Sequence, residues 1–144
     1  MGVRNSLELT VRAGAVFVDR IGLVGINWKR EGASAIAQFS ERLDDDPRTL
    51  QRIANELGVS ELVCLRTCNR VELAVVVSQP EDLRAVRRTA FEILRGRAPL
   101  DGEAQTTLRL WGGEGAVEHI FLVCAGLESA RIGEREIVGQ VRAS

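Results

Sequence analysis

The chain has 144 residues, 45% of them apolar and 27% charged, which is one domain's worth of polypeptide with enough aliphatic material for a core, and excludes a wholly disordered chain. Its 19 basic and 20 acidic side chains nearly cancel to a net charge of -1, which excludes a surface-wide electrostatic grip on nucleic acid but leaves room for a local basic patch. No uninterrupted apolar stretch reaches the roughly 18 residues of a membrane span, and the amino end lacks a signal-peptide pattern, so the expectation is a cytoplasmic protein with no membrane partner.

Residues 1–18 show no clean period and read as an extension before a domain spanning residues 19–133. Residues 21–26, apolar and punctuated by Gly22 and Gly25, predict a buried first strand. Helical material follows, with one helix over residues 33–43. A second runs over residues 48–57, entered through Pro47 and closed by Gly58. Residues 61–77 read as a β-hairpin: an apolar run, a polar break at Thr67-Cys68-Asn69-Arg70, and a second β-branched run. Asn69 suits the turn, although the Asn-Gly pair that marks such turns most strongly is absent. Residues 81–94 carry Leu83, Val86, Ala90, Ile93 and Leu94 at helical spacing behind Pro80. Residues 106–111 predict a fourth strand. Residues 116–127 predict a helix with Val117, Ile120, Phe121 and Cys124 on one face. A last helix begins at Glu134 and meets the end of the chain after about two and a half turns, which reads as a truncation.

Three cysteines at irregular spacing, Cys64, Cys68 and Cys124, form no disulfide framework, and together with the single His119 they match no zinc spacing, so no metal is expected. Cys64 and Cys124 sit inside apolar runs and read as inert core residues. Cys68 stands where the strand breaks, beside Arg70, and a positive charge near a thiol favours the thiolate, the form that attacks carbonyls. The residues alone leave open whether Cys68 is such a nucleophile or a small half-buried turn residue. They leave the same choice for His119, either a structural helix residue or the one side chain suited to an ordinary proton shuttle. The string Gly112-Gly113-Glu114-Gly115 reads as a glycine-rich helix start and not as a dinucleotide site, because Glu118 stands where a third glycine would be and its charge would repel a pyrophosphate.

The segment Thr67-Cys68-Asn69-Arg70-Val71-Glu72 closely resembles the Ser-Thr-Cys-Asn-Arg-x-Glu signature of the glutamyl-tRNA reductase family. Downstream, Ala116-Val117-Glu118-His119, Gly126-Leu127-Glu128-Ser129 and Gly133-Glu134-Arg135-Glu136-Ile137-Val138-Gly139-Gln140 resemble the family's Ala-Val-x-His, Gly-Leu-Asp-Ser and Gly-Glu-x-Gln-Ile-x-Gly-Gln succession. Gly25-Ile26-Asn27-Trp28-Lys29 is a weaker match to Gly-x-Asn-His-Lys. The chain departs from the pattern at Trp28 for histidine, at Arg30-Glu31-Gly32, and at Glu136 for glutamine.

The resemblance implies an α+β catalytic domain with a ferredoxin-like small sheet covered by helices, followed over residues 134–144 by the start of a long connecting helix. It also implies reduction of the glutamyl ester of tRNA to glutamate-1-semialdehyde, on the way to 5-aminolevulinate and tetrapyrroles. By that resemblance Cys68 is the nucleophile that forms a thioester, and His119 assists proton transfer. Thr67, Asn69, Arg70, Ser129, Glu134, Arg135, Glu136 and Gln140 match positions that hold the glutamyl group. The cofactor implied is NADPH, on a binding domain outside these residues. The partners implied are glutamyl-tRNA and, as in the family, a separate NADPH-binding domain or glutamate-1-semialdehyde aminomutase. This chain alone is expected to stop at the thioester or at its hydrolysis. The alternatives are a non-reducing glutamyl-tRNA-binding module and a glutamyl acyltransferase.

Overall fold

In the computed structural model, which describes residues 17–128 together with residues 139, 141 and 142, four strands form one antiparallel sheet. They are β1 (Ile21–Asn27), β2 (Glu61–Thr67), β3 (Arg70–Val76) and β4 (Arg109–Gly112), in the order β2-β3-β1-β4. Five helices accompany them: α1 (Ala33–Ser40), α2 (Pro47–Leu57), α3 (Leu83–Arg95), α4 (Glu103–Thr107) and α5 (Glu114–Cys124). With α1 and α2 between β1 and β2, and α3 and α4 between β3 and β4, the connectivity is the split β-α-β arrangement of ferredoxin-like domains, as expected.

β1 and β3 are central and buried along most of their length, so both faces of the sheet are covered. On one face Val24, Ile26, Val71, Leu73 and Val75 pack against Ile36 and Phe39 of α1, Ile53 and Leu57 of α2, and Val86, Ala90 and Leu94 of α3. On the other face, Leu23 and Leu65 pack against Ala116 and Val123 of α5. As the sequence suggests, Pro47 opens α2 and Gly58 closes it at φ 67°; the structure adds a cap, the Asp46 carboxylate accepting the Arg48 N–H at 2.8 Å.

Several expectations are corrected. α1 stops at Ser40 and not at residue 43, because the chain tightens there (Leu43 N–H to Ser40 O, 3.1 Å) and the Leu43 carbonyl accepts from Arg66 at 2.6 Å while its side chain enters the core. The predicted strand over residues 106–111 begins only at Arg109. Residues 103–107 are α4 instead, since Ala104 and Leu108, four apart, both reach the core. α3 is preceded by a 3-10 turn, Pro80–Asp82, in which the Asp82 carboxylate accepts the Gln79 N–H at 3.0 Å.

The largest correction concerns α5. It occupies residues 114–124 and buries Ala116, His119 and Val123, whereas Phe121 of the expected apolar face is 70% exposed. Among the described residues no helix is long and apolar enough to cross a membrane.

Candidate functional site

The hairpin turn between β2 and β3 is two residues long, Cys68 and Asn69, with Thr67 and Arg70 paired across its base. The Thr67 hydroxyl accepts the Asn69 N–H at 3.1 Å, and the Asn69 carbonyl accepts the Trp28 N–H at 2.9 Å, which ties the turn to the segment leaving β1. This places Cys68 exposed at the hairpin tip, opening into a groove of about 570 Å3 whose other walls are Ala33, Ile36, Ala37, Ser40 and Glu41 of α1 and Arg66 and Thr67 of β2. That volume lies within the range of small-ligand sites. Cys64 differs from Cys68: half-buried against the helix-covered face, its thiol is pushed up to about 11 by desolvation, with Arg66 and Asp45 as opposing minor influences. Among the described residues no group of three or more His, Cys, Asp or Glu side chains could hold a metal ion.

Strand alternation puts Arg70 and Glu72 on the face of β3 that α5 covers, opposite Asn27 and Gly25 of β1. Here lie the buried polar side chains among the described residues: Asn27, Thr67, Arg70, Glu72 and His119. The Glu72 carboxylate joins Arg70, Asn27 and His119, accepting from Arg70 Nη1 at 3.0 Å and from Asn27 Nδ2 at 3.4 Å, and lying 3.1 Å from His119 Nε2. Gly25 makes the room, because a Cβ there would stand 2.1 Å from the Val71 carbonyl oxygen and 2.9 Å from Glu72 Cγ. The His119 ring stacks on Trp111 with centroids 4.0 Å apart, and Trp111 carries the Arg109 guanidinium 4.7 Å above its centre.

Arg70 is 1% exposed, and its fork is largely occupied: Nη1 donates to Glu72 and Nη2 donates to the Glu128 carbonyl. Its Nε is buried without a hydrogen-bond partner, an orphaned donor of the kind a ligand oxygen would satisfy. The positive charge expected beside Cys68 is therefore compensated by the Glu72 carboxylate. Glu128 itself is anchored by Lys29 at 2.7 Å, and its backbone carbonyl also accepts Trp28 Nε1 at 3.3 Å. The Lys29 contact, opposed by some desolvation, holds the Glu128 carboxyl below the usual carboxylate range.

Of the residues singled out from sequence, Arg70 and His119 thus share one buried polar network through Glu72, Thr67 is buried at the base of the turn, and Cys68 and Asn69 form the turn itself. His119 has no described contact with Cys68. Ser129, Glu134, Arg135, Glu136 and Gln140 lie outside the described residues. The sequence reading missed Glu72, Asn27 and Trp111 as site residues. The two-residue spacing of Arg70 and Glu72 on a strand was a usable signal for the first of these. A dinucleotide site is not supported by the described residues: the cleft beside Gly112, Gly113 and Gly115 is lined by Asp19, Glu81 and Glu114, carboxylates that repel a pyrophosphate, and by no cation.

Residues 24–144 match the family described as the N-terminal domain of glutamyl-tRNAGlu reductase. A glutamyl-tRNA reductase of Ignicoccus hospitalis is 35% identical over 131 residues, covering 88% of this chain and 27% of the relative. One from Paenibacillus macerans is 34% identical over 124 residues, covering 86% and 28%. The solved glutamyl-tRNA reductase from Methanopyrus kandleri is similar in fold at a TM-score of 0.61 and 26% identity, over 87% of this chain and 27% of that one. The chain thus spans about a quarter of the length of the relatives it matches.

Proposed function

The chain belongs to the family of glutamyl-tRNA reductase N-terminal domains, and from that premise we propose that it takes the glutamyl group of glutamyl-tRNA onto Cys68 as a thioester. The observation that carries this reading is the placement of Cys68: an exposed thiol at a hairpin tip, at the mouth of a groove walled by α1, two residues before Arg70, from which the buried Glu72 and His119 network begins. The Cys68 thiolate attacks the ester carbonyl carbon, forming the C–S bond, and the bond from that carbon to the terminal ribose oxygen breaks. The ribose oxygen leaves as a hydroxyl after taking a proton, a transfer in which His119 is the candidate donor. Thr67 and Asn69 order the turn, and Arg70 Nε, a buried donor without a partner, is the atom proposed to donate to a substrate carboxylate oxygen. Ser129, Glu134, Arg135, Glu136 and Gln140 are proposed, by resemblance alone, as further contacts to the glutamyl group.

The proposal extends to the family reaction, in which NADPH supplies a hydride that reduces the thioester to glutamate-1-semialdehyde for tetrapyrrole synthesis. The glycine-rich cleft, lined by Asp19, Glu81 and Glu114, does not suit that cofactor, and no hydride step is derived for the described residues. A separate NADPH-binding domain, with glutamate-1-semialdehyde aminomutase downstream, is the partner set this reading calls for. A cytoplasmic location is proposed with this reading, since aminoacylated tRNA is its substrate.

The test is incubation of the 144-residue chain with glutamyl-tRNA, followed by mass spectrometry. A hydroxylamine-sensitive glutamyl adduct on Cys68 is expected, lost in Cys68→Ser and retained in Cys64→Ser and Cys124→Ser, and indifferent to NADPH. Unchanged labelling after Cys68→Ser would overturn the assignment. Tight tRNA binding without any adduct would point instead to a non-reducing binding module, and transfer of the glutamyl group to an added amine or thiol to an acyltransferase.

A further inference from the structure

Glu72 is the only buried carboxylate among the described residues, and each of its oxygens faces hydrogen-bond donors. Oε2 receives Arg70 Nη1, while Oε1 receives Asn27 Nδ2 and faces His119 Nε2. The orientation of the Asn27 amide is set independently, because its Oδ1 accepts the Lys29 N–H at 3.2 Å and its Nδ2 is thereby turned to Glu72. A carboxylate paired with a guanidinium is an acceptor only, so a hydrogen bond to His119 at 3.1 Å requires the hydrogen to sit on Nε2. Stacking on Trp111 at an interplanar angle of 22° holds the imidazole plane, and the Glu72 contact selects the edge, because a ring flipped within that plane would present a carbon in place of Nε2.

We infer that Glu72 is a positioning residue that fixes His119 as the Nε2–H tautomer, leaving Nδ1 as the nitrogen that gains and loses a proton. The tautomer follows from the buried network alone. Its use in transferring a proton to the leaving ribose oxygen rests on the function proposed above.

His119 is the single histidine, so long-range proton–nitrogen NMR of the nitrogen-15-labelled chain reads its ring without assignment ambiguity. In the neutral ring of the parent, Nδ1 should be pyridine-like and Nε2 pyrrole-like, with a bias of about tenfold or more from one charge-assisted hydrogen bond. In Glu72→Gln the amide has one oxygen to offer. It cannot serve the Arg70, Asn27 and His119 donors together, and any bond it keeps to Nε2–H is no longer charge-assisted, so the Nε2–H preference falls toward an even mixture. A pyridine-like Nε2 or an even mixture in the parent overturns the inference, and so does a folded Glu72→Gln variant whose signals match the parent. If the variant does not fold, the parent spectrum still decides. The predicted tautomer in a chain that never acquires a glutamyl adduct supports this inference while counting against the proposed function.

Discussion

Raising the pH above 9 should destabilise the chain through Cys64. Desolvation against the helix-covered face moves this thiol from an ordinary 9.0 to about 11, whereas in the unfolded chain the same group ionises in water. The folded state therefore binds more protons than the unfolded one between these two values. A raised value means the contribution is fully present below the unfolded pKa and is lost as pH rises through the folded one. The slope is at most about 1.4 kcal/mol per pH unit, so the loss is about 2 kcal/mol by pH 11 and levels off just under about 3 kcal/mol above it, a large share of the roughly 5–15 kcal/mol a domain has to lose. The chain has no tyrosine, which keeps this alkaline limb free of phenol titration. Urea denaturation of the parent and of Cys64→Val at pH 8 to 11 is the assay, with the variant expected to fall less steeply above pH 9. Parallel curves would refute the reasoning. The same shift leaves about one Cys64 in a thousand as thiolate at pH 8, so alkylation there should spare Cys64 in the folded chain and reach it on unfolding.

Gly25→Ala drives a Cβ into the backbone of β3, which cannot move aside as a flexible side chain could. It should cost about 1–3 kcal/mol or more in urea denaturation, and a variant as stable as the parent would show that β1 and β3 are less closely apposed. Arg70→Met leaves the Glu72 carboxylate buried without its guanidinium, at a cost of about 3–5 kcal/mol. The Arg70→Met, Glu72→Leu double variant should lose less than the sum of the two single losses, and strict additivity would argue against the pair. Lys29→Met should return the Glu128 carboxyl toward its ordinary range in an NMR titration. It should change stability by less than about 1 kcal/mol, because the Lys29 side chain is about half exposed; the parent's small advantage, present above the unfolded carboxyl pKa, disappears as pH falls through the depressed value.

What the sequence determined by itself is local. The hairpin at Thr67-Cys68-Asn69-Arg70, the Pro47 start and Gly58 end of α2, and the amphipathic α3 follow from short-range rules that need no partner, and the ordered motifs around Cys68 and His119 were specific enough to carry the family. The tertiary structure decided which faces meet. Apolar periodicity turned α5 toward Phe121 and Cys124 because it scored His119 as polar, but the folded chain buries His119 against a carboxylate 47 residues earlier. That carboxylate fits only because Gly25 opens space across the β1–β3 pairing. Likewise, nothing in residues 103–107 alone distinguishes a short helix from a strand until Ala104 and Leu108 have a core to enter. A buried polar group is stable only with its partner in place, and that partner is supplied by a strand pairing which no local window of sequence contains.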